Sequence, residues 1–458
     1  AGGSGGRVER ISWDNEIIWG FNYSSDIYHQ HHDIEVMPNG NILIIAWEKH
    51  TEAESLQAGR DPEKLSPAGL WAERIVEVQP LGNEDYEVIW EWHLWDHLIQ
   101  EFDANLPNYG SVAEHPERID LNYIGLTGVG GADWVHLNSI DYQPELDQIL
   151  VSTRAFSEIW ILDHSTTTQE AAGHSGGQSG KGGDLLYRWG NPQTYQQGTS
   201  EDQQLFTAHD AHWIESGLPD AGKILLYNNG IGRPEGVYST VEILEPPMNT
   251  AGNYVYEPAT AYGPATPDWI YTAEDPESFF SKILSGAQRL PNGNTLICEG
   301  MYGRIFEITP DEETVWEYVN PINQWGPVSQ GDPAIQNHVF RAYRFAAEHP
   351  ALVDKPLPPG VPLELNPWPV DCALSSSLDG PQRIDGPKVY PLPFEEFLYL
   401  DNPGCQARHI RIWNAMGSLV HQGTYNGCRL ELYLSGFQPG IYGLQVDRQP
   451  LLKILKSP

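Results

Sequence analysis

The sequence predicts an all-β protein: a six-bladed β-propeller, incomplete at its N-terminal end, followed by a small β-sandwich. Residues 132–163 contain three short apolar strands, VHLNSIDY, QILVSTRA and EIWILD, separated by turn residues. The same plan begins again at His31, His209 and Ser285. The composition, with 45 Gly, 36 Pro and 16 Trp, fits a fold with many turns. Recurring four-stranded units of this kind are typical of propeller blades.

The blade repeat is visible in the spacing between a polar side chain and the glycine of the following turn. The glycine follows the polar residue by eight positions in three repeats: Gly40 follows His32, Gly217 follows His209, and Gly293 follows Ser285. His136 stands at the matching point before a slightly longer turn. Each unit then closes with an aromatic strand, near Trp90, Trp189, Trp269 and Trp316. We expect four complete blades, because isolated two-stranded units cannot bury their faces.

Both ends of the predicted propeller are partial blades. RVERISW and EIIWGFNY, within residues 7–23, predict two outer strands, and NHVFRAYRF, residues 337–345, predicts a single inner strand. Because natural sheets avoid long unpaired edges, an upstream fragment of the same precursor, or another chain, is expected to complete the propeller. We interpret AGGSGG at the start as a native loop, and its small residues suit proteolytic cleavage at Ala1.

Three long insertions are predicted to be surface loops, at residues 51–70, 165–184 and 246–267. The second is rich in glycine, but it lacks the spacing of a Walker loop and a helix behind it. A nucleotide site is therefore not expected there. Long loops on a rigid β scaffold commonly shape a binding mouth.

The composition changes after the propeller, which we assign to residues 1–347. Residues 348–387 are a proline-rich linker, and residues 388–458 have the strand pattern of a small β-sandwich. Cys405 and Cys428 lie in this last domain and could form a disulfide. Cys298, in the apolar stretch TLICEG, is expected to be a buried free thiol, and Cys372 stands alone in the linker.

The net charge limits the possible partners. The chain has 62 Asp and Glu against 26 Lys and Arg, a formal net charge of -36. Nucleic acid is excluded as a partner, since its recognition needs a basic surface. An acidic, self-repelling surface fits an exposed, soluble protein. No apolar stretch is long enough for a transmembrane segment, and no signal peptide is present in the sequence.

Two sets of motifs resemble known families. DWVHLNS with the following Ser152 and Arg154, AHDAHW followed by NNGIGR, and the recurring LPNGN turn resemble the bacterial arylsulfate sulfotransferase family over residues 7–345. VYPLPF, LSGFQPGIY and the basic LLKILK resemble the type A C-terminal sorting domain of type IX secretion in Bacteroidetes. The second resemblance implies contact with the type IX secretion machinery, and a secreted or cell-surface protein on the outer membrane exterior of a Gram-negative bacterium.

The candidate site lies where equivalent repeat positions converge. The first strand of each blade lines the channel of a propeller, so His32, His136, His209 and Ser285 are expected to meet there, joined by His338. Arginines follow the second strands and are expected to form a cationic layer: Arg154, Arg233 and Arg304. Such a cluster predicts an anion site, with His212 as a further substrate-binding residue. The resemblance implies that His136 and His209 match active-site histidines and that Arg233 matches a family arginine.

The resemblance implies transfer of a sulfuryl group from an aryl sulfate to a phenol, without cofactor or metal. Arginines would bind the sulfonate, one imidazole would form a sulfo-histidine, and another would exchange the proton with the phenol. The family's nucleophilic histidine lies late in the chain, whereas the corresponding strand here, EGMYGRIFEI, has Arg304 near that place and no histidine. The alternative hypothesis is a non-catalytic surface propeller that binds an anion, a glycan or a partner chain. HQHH at residues 29–32 is only suggestive of a metal site.

Overall fold

The computed structural model describes residues 2–126, 128, 131–358, 360–367, 389–390, 394, 396–402, 405–414, 418–447 and 452–456. Two compact units divide the chain, Ala1–Pro369 and Val370–Pro458. No helix among these described residues is both long and apolar enough to cross a membrane.

The first unit begins with a two-stranded antiparallel sheet, the N-terminal hairpin, formed by β1 (Arg7–Ile11) and β2 (Ile17–Asn22). Blade 1 follows, an antiparallel meander of β3 (Tyr28–Val36), β4 (Ile42–His50), β5 (Leu70–Leu81) and β6 (Asp85–His93). Helix α1 (Glu52–Ala58) lies between β4 and β5. A short parallel pair, β7 (Leu98–Ile99) and β8 (Ile119–Asp120), follows blade 1.

Three further blades repeat the same meander. Blade 2 contains β9 (Leu137–Gln143), β10 (Gln148–Thr153), β11 (Glu158–Asp163) and β12 (Tyr187–Trp189), with α2 (Thr168–Ala171) between the last two. Blade 3 contains β13 (His209–Trp213), β14 (Ile224–Asn228), β15 (Thr240–Leu244) and β16 (Trp269–Tyr271). Blade 4 contains β17 (Gly286–Arg289), β18 (Thr295–Glu299), β19 (Arg304–Ile308) and β20 (Thr314–Val319). A short pair, β21 (Ile322–Asn323) and β22 (Gly326–Pro327), follows.

Short 3₁₀ helices occupy several of the connections. They span Pro62–Lys64, Leu94–His97, Val112–Glu114, Pro192–Tyr195, Pro276–Ser278 and Gly300–Tyr302.

The apolar cores lie between consecutive sheets. In β4, Leu43 packs between blades 1 and 2, while the next residue, Ile44, packs between blade 1 and the N-terminal hairpin. In β14, Leu225 packs toward blade 4 and Leu226 toward blade 2. Successive side chains of a strand point to opposite faces, so a strand buried on both faces reads as a continuous apolar run. The propeller fold predicted from the repeat is confirmed, with four complete blades.

Carboxylates connect the inner strands of neighbouring blades. Asp33 on β3 accepts the backbone N–H of Ile140 on β9, at 3.0 Å. Asp141 on β9 accepts that of Trp213 on β13, at 2.6 Å. Asp210 on β13 accepts that of Ala287 on β17, at 3.2 Å. These three carboxylate clasps join blades 1 to 4 in order through their inner strands.

The predicted inner strand at residues 337–345 is wrong. This stretch is extended chain beside β17, where Ser285 N–H donates to the Phe340 carbonyl at 3.0 Å. The Gln288 side chain bonds the backbone N–H and carbonyl of Arg344, so side-chain bonds replace part of a strand ladder. Arg341 in this stretch reaches Asp33 and Asp210, across the inner strands of blades 1 and 3.

Two of the predicted loops begin with a helix. Thr51 accepts the N–H of Glu54, whose carboxylate accepts the N–H of Thr51, which is a capping box at the start of α1. Thr167 and Glu170 form the same box at α2. The T-x-x-E spacing of a capping box is visible in the sequence in both places. The loop at residues 246–267 has no helix or strand.

The second unit contains two sheets. One is β23 (Val389–Tyr390), β24 (Phe397–Asp401) and β27 (Arg429–Tyr433); the other is β25 (Arg408–Asn414), β26 (Leu419–Tyr425), β28 (Gly440–Val446) and β29 (Leu452–Lys456). Leu398, Ile410, Leu432 and Leu444 contribute to one shared core, as in a β-sandwich. Cys405 and Cys428 form a disulfide, and Cys298 is a buried free thiol. Cys372 lies outside the described residues.

Candidate active site

Three histidines reach the site from the inner strands of blades 1, 2 and 3. His32 lies within β3, His136 directly precedes β9, and His209 begins β13. His32 and His136 have positive φ angles of 50° and 60°, which residues with a Cβ rarely adopt. The pairing of β3 with β4 shifts register between Gln30 and Ile34, so a bulge re-aims the His32 side chain.

These imidazoles form a compact group with His31, which we call the histidine cluster. The ring centroids of His32 and His136 are 4.5 Å apart. Trp47 stacks on His31 at 4.0 Å and lies within 6.3 Å of the rings of His32 and His136. Burial, followed by repulsion from His31, His136, His209 and Arg154, holds the pKa of His32 far below its usual value. Several uncharged imidazoles therefore face one small volume at neutral pH.

His136 is oriented by a carboxylate. Its Nδ1 lies 2.6 Å from Oδ2 of Asp133, whose Oδ1 accepts Nε1–H of Trp47 at 3.1 Å. Burial raises the pKa of Asp133, but the hydrogen bond and charge of His136 outweigh it, so the net pKa is lowered. A proton on Nδ1 bound to an ionised carboxylate leaves the Nε2 lone pair free, which is the arrangement of an activated nucleophile or base.

His32 lies at the end of a hydrogen-bond chain that starts at a buried carboxyl group. Its Nδ1 is 2.8 Å from Nδ1 of His31, and Nε2 of His31 is 2.8 Å from Oε2 of Glu73. Burial first, then the charge of Asp133, raises the pKa of Glu73 well above the usual carboxyl value. Burial also lowers the pKa of His31 to about 3. These directions favour a protonated carboxyl and two neutral imidazoles along the chain.

His209 is fixed by neutral partners. Its Nδ1 lies 2.6 Å from Oδ1 of Asn229 and 3.1 Å from the Thr207 carbonyl, both acceptors, so Nδ1 carries the proton. Asn229 is itself held by the carbonyls of Ser281 and Leu284. Burial, together with the charge of Arg154, outweighs the hydrogen bond to Asn229 and lowers the pKa of His209 to about 3. The site therefore has a second imidazole with an unprotonated Nε2.

Arg154 supplies a cation beside these imidazoles. Its backbone N–H donates to the His136 carbonyl at 3.0 Å, and its charge lowers the pKa of both His32 and His209. Within the part of the chain that the structure describes, its half-buried guanidinium makes no hydrogen bond or ion pair. A guanidinium without a carboxylate partner, next to neutral imidazoles, can bind an anion.

The other residues expected at the site lie elsewhere. Arg233 lies over the rings of Phe206 and Tyr238 and donates to Thr240 at 3.1 Å, because the loop after β14 turns it toward β15. Arg304 pairs with Glu299 and Glu317 on blade 4 and is neutralised there. His338 is exposed on the extended stretch that replaces the predicted strand. None of the described contacts of these three residues is with the histidine cluster.

His212 and Ser285 complete the set of predicted positions. His212 lines a separate cavity of about 250 Å³ with Asp141 and Glu35. Ser285 keeps the repeat geometry, with a φ of 87°, but its hydroxyl accepts the N–H of Gly300 at 2.9 Å. Blade 4 thus contributes no imidazole to the cluster.

Four residues of the site were missed from the sequence: His31, Glu73, Asp133 and Asn229. Asp133 stands three positions before His136 in DWVH, and His31 precedes His32, so both were within the quoted motifs. Asn229 also lies in a quoted motif, NNGIGR, whereas Glu73 comes from β5 outside them, and no local signal pairs either residue with the histidines. Together these groups can bind an anion, offer a nucleophilic nitrogen and exchange a proton.

Comparison with known proteins assigns the two units. The sequence profile of the arylsulfotransferase (ASST) family matches residues 17–324, more than half of the 458 residues. The profile of the secretion system C-terminal sorting domain matches residues 388–456, so the protein is secreted or held at the cell surface through type IX secretion. No curated protein matches the sequence significantly.

Several solved structures are similar at low TM-score. A protein of unknown function from Bacteroides caccae is 13% identical, with 68% of this chain and 74% of that chain covered and a TM-score of 0.35. Virginiamycin B lyase from Staphylococcus aureus is 10% identical, with 69% and 78% covered and a TM-score of 0.29. The β-propeller domain of Cps50 (Swd1) from Myceliophteria thermophila is 9% identical, with 69% and 81% covered and a TM-score of 0.31. The profile match across the four blades is what identifies the chain as a member of the arylsulfotransferase family that ends in a secretion system C-terminal sorting domain.

Proposed function

We propose that the protein transfers a sulfuryl group from an aryl sulfate to a phenol through the histidine cluster. The observation that carries this proposal is the convergence of His32, His136 and His209 beside the unpaired guanidinium of Arg154. Transfer of a sulfuryl group, like that of a phosphoryl group, depends mainly on positioning and on charge stabilisation. The cluster supplies both without a nucleotide.

Arg154 and His209 bind the sulfonate oxygens of the donor in this proposal. The guanidinium attracts the anion, and its planar donors match two oxygens at once. Binding of the sulfonate raises the pKa of nearby imidazoles, so His209 can then carry a second proton and donate from Nε2. This places the sulfur next to the His136 ring.

His136 is the proposed nucleophile. Its Nε2 lone pair attacks sulfur, the bond between sulfur and the aryl oxygen breaks, and the electron pair leaves with that oxygen. The product is a sulfo-histidine with the proton of Nδ1 still bonded to Asp133. Asp133 supports this role, since a carboxylate on Nδ1 fixes the tautomer with a free Nε2 and stabilises the positive charge that develops on the ring.

The chain of Glu73, His31 and His32, which we call the Glu73 relay, supplies and takes back the phenol proton. With Glu73 protonated, its O–H donates to Nε2 of His31, Nδ1–H of His31 donates to Nδ1 of His32, and His32 carries its own proton on Nε2, the edge of the ring beside Gly3. His32 gives this proton to the leaving phenolate. At the same time the proton of His31 moves to Nδ1 of His32 and the proton of Glu73 moves to Nε2 of His31, which leaves Glu73 ionised. The acceptor phenol gives its proton back to Nε2 of His32, and the relay protons return to their starting positions. The phenol oxygen attacks sulfur as the N–S bond breaks.

The experiment is detection of the covalent intermediate. Wild-type protein incubated with 4-nitrophenyl sulfate and digested is expected to contain a peptide with one SO₃ group on His136. His136→Gln should lose both the label and phenol release. His115→Gln, which alters an exposed histidine paired with Glu117, is the matched control and should behave as wild type. A label confined to another histidine would contradict the assignment of the nucleophile.

Anion binding without turnover is the second candidate. Two differences from the expected site favour this candidate. Arg233 contacts aromatic rings and Thr240 rather than the histidine cluster, and Ser285 puts a hydroxyl where blades 1 to 3 have imidazoles. In that case the protein binds sulfate or an aryl sulfate in an Arg154-dependent manner, and neither label nor phenol appears. Calorimetry with wild type and Arg154→Gln separates this outcome from inactive protein.

A further polypeptide segment is proposed to complete the sheet of the N-terminal hairpin. That sheet has two strands where each blade has four, and Ile11, Trp13 and Ile17 beside it are each more than half exposed. Sheet edges and apolar surface of this kind favour strand addition. Mass spectrometry of native material should then find an additional peptide in equal amount, from the same precursor or another chain; its absence would contradict the proposal.

A further inference from the structure

A second histidine group lies outside the histidine cluster, where the glycine-rich loop of residues 165–184 meets the 3₁₀ helix Leu94–His97. Oδ1 of Asp184 lies 2.9 Å from Nδ1 of His97 and 2.8 Å from Nδ1 of His174. One ligand atom from each of the three residues lies within 4.8 Å of the other two. We call His97, His174 and Asp184 the loop cluster.

The lone pairs that meet in the loop cluster need a positive charge between them, either an additional proton on an imidazole or a metal ion. Nε2 of His97 is 2.8 Å from the Ala171 carbonyl, which only accepts, so in a neutral ring the proton is on Nε2. The Nδ1 lone pair then faces a carboxylate oxygen that also has only lone pairs. The same oxygen meets Nδ1 of His174. A metal ion between them would accept electron pairs from all three atoms.

We propose that Nδ1 of His97, Nδ1 of His174 and Oδ1 of Asp184 bind one divalent cation of the zinc class. Two imidazole nitrogens and one carboxylate oxygen are a ligand set that suits zinc, with water in the fourth position. Bonds of about 2.0–2.2 Å to a tetrahedral ion put its ligands about 3.3 Å apart, so each nitrogen needs to move about 0.5 Å away from Oδ1 of Asp184. This proposal departs from the expectation of no metal, and it does not depend on sulfuryl transfer.

The surroundings hold the loop cluster in a binding geometry. The Ala171 carbonyl fixes the His97 tautomer, as outer partners of metal-binding histidines commonly do. Trp92 lies parallel to His97, with ring centroids 5.5 Å apart, and donates Nε1–H to the Gly183 carbonyl at 2.8 Å. A Cβ at Gly183 would lie 2.6 Å from Nε2 of His97, so only glycine fits there.

The loop cluster is accessible from one side. His97 is fully buried and the side chain of Asp184 is 6% exposed, whereas that of His174 is 44% exposed. An ion can therefore enter from solvent past His174. The ion would bond His97, which lies outside the loop, and His174 and Asp184 within it. These bonds would offset the entropy cost of ordering the loop backbone, which is about 1–2 kcal/mol per residue. The loop contains six glycines, Gly173, Gly176, Gly177, Gly180, Gly182 and Gly183.

Zinc binding to the tag-free, chelator-treated full chain tests the proposal. Calorimetry with Zn²⁺ should find one more tight site in wild type than in His174→Ala, and loss of one ligand should weaken that site by at least about 10-fold. Co²⁺ should give visible absorption of a four-coordinate ion that His174→Ala lacks. His136→Ala, which alters the histidine cluster, should keep the site. His115→Ala is the matched control, since His115 is 43% exposed and lies outside both clusters.

Proteolysis gives an independent measurement. Lys181 is exposed within the loop, and trypsin cleaves after it. Zn²⁺ should slow this cleavage several-fold in wild type and in His115→Ala, but not in His174→Ala, because ligand binding to the folded loop opposes its opening. Equal zinc stoichiometry and equal cleavage rates in wild type and His174→Ala would overturn the proposal. The loop cluster would then be an imidazolium–carboxylate group without a metal.

Discussion

Glu73 is the residue whose chemistry depends most on its surroundings. It is fully buried, its Oε1 accepts the N–H of Leu137 at 3.0 Å, and its Oε2 meets His31. Burial, reinforced by Asp133, raises its pKa well above the carboxyl value, which favours the protonated form. If the Glu73 relay operates, the rate of phenol release depends on that proton.

Glu73→Gln should therefore slow transfer from donors whose phenol is a weak acid more than transfer from 4-nitrophenyl sulfate. An amide can donate to His31 and preserve the tautomers, but it cannot give up a proton. We expect a loss of about 10²-fold for weakly acidic phenols, in the range of general acid catalysis. The measurement is the dependence of kcat/KM on the pKa of the leaving phenol.

The matched control for the relay is Glu242→Gln, a second buried glutamate that bonds Asn228 and Thr240 within blade 3. It makes the same chemical change without contact with the relay. An equal loss for every donor in Glu73→Gln would indicate a positioning role and contradict proton transfer.

His93 should make stability depend on pH at the outer end of blade 1. Its Nδ1 lies 2.9 Å from Glu48, and Nε2 lies 3.7 Å from Glu91. Burial lowers the pKa of His93, but hydrogen bonds and attraction from the two carboxylates outweigh it and raise the pKa to about 9. Because the folded-state pKa is above the unfolded value of 6.5, this stabilisation is complete below pH 6.5 and is lost as pH rises through about 9.

His93→Gln should lower the free energy of unfolding by about 2–3 kcal/mol at pH 6, and by much less at pH 10, where wild-type His93 is neutral. Urea unfolding at both pH values measures the difference. For His115→Gln, the change in the free energy of unfolding relative to wild type should be the same at pH 6 and pH 10. A loss for His93→Gln that is the same at both pH values would show that packing, rather than charge, sets its contribution.

Local pattern predicted the convergence of the histidines but not the direction of every side chain. His32, His136 and His209 share a repeat position, and strand alternation carries such positions to the same place. Arg233 also follows a second strand, but residues 229–232, which include two glycines, separate it from β14, and the conformation of this loop decides where the side chain points. Glu73 joins the site from another strand of blade 1, and such pairings depend on register between strands.

Blades depend on a few polar contacts at their inner strands. The carboxylate clasps gather Asp33, Asp141 and Asp210, and Arg341 bonds two of them, at 2.8 Å to Asp33 and 3.2 Å to Asp210. Burial raises the pKa of Asp33, and Arg341 opposes this shift. Removal of one member of a buried ion pair leaves a charge without compensation, which costs more than the pair contributes.

Arg341→Met should lower the free energy of unfolding of the first unit by about 3–5 kcal/mol. Arg10→Met, on the exposed side of β1, is the control and should change it by less than about 0.5 kcal/mol. Adding Asp33→Asn and Asp210→Asn to Arg341→Met should restore part of the loss. Chemical denaturation of the wild type and these three variants measures the differences. No loss in Arg341→Met would show that the stretch at residues 337–345 does not hold the inner strands together.

At the scale of the molecule, the excess of acidic residues contrasts with the local cation at Arg154. A net charge of -36 repels anions from most of the surface, so anion recognition rests on Arg154 and on imidazoles that gain a proton. Composition could predict the acidic surface and the β-rich fold. It could not predict that the Arg154 guanidinium forms no ion pair among the described residues while Arg304 pairs with Glu299 and Glu317, because such pairing depends on tertiary contacts.

The two units should lose stability separately, in keeping with the domain boundaries proposed from the sequence. The disulfide between Cys405 and Cys428 closes a 23-residue separation, and loops of that length gain about 3 kcal/mol from a cross-link. Cys405→Ser with Cys428→Ser should destabilise the second unit by about this amount. Hydrogen exchange resolved by peptide should show faster exchange in β25 and β28, while β10 and β14 of the blades keep their protection. Cys298→Ser is the control, since it alters the buried free thiol of the first unit. Equal acceleration of exchange in both units of the double variant would mean that they unfold together, against independent domains.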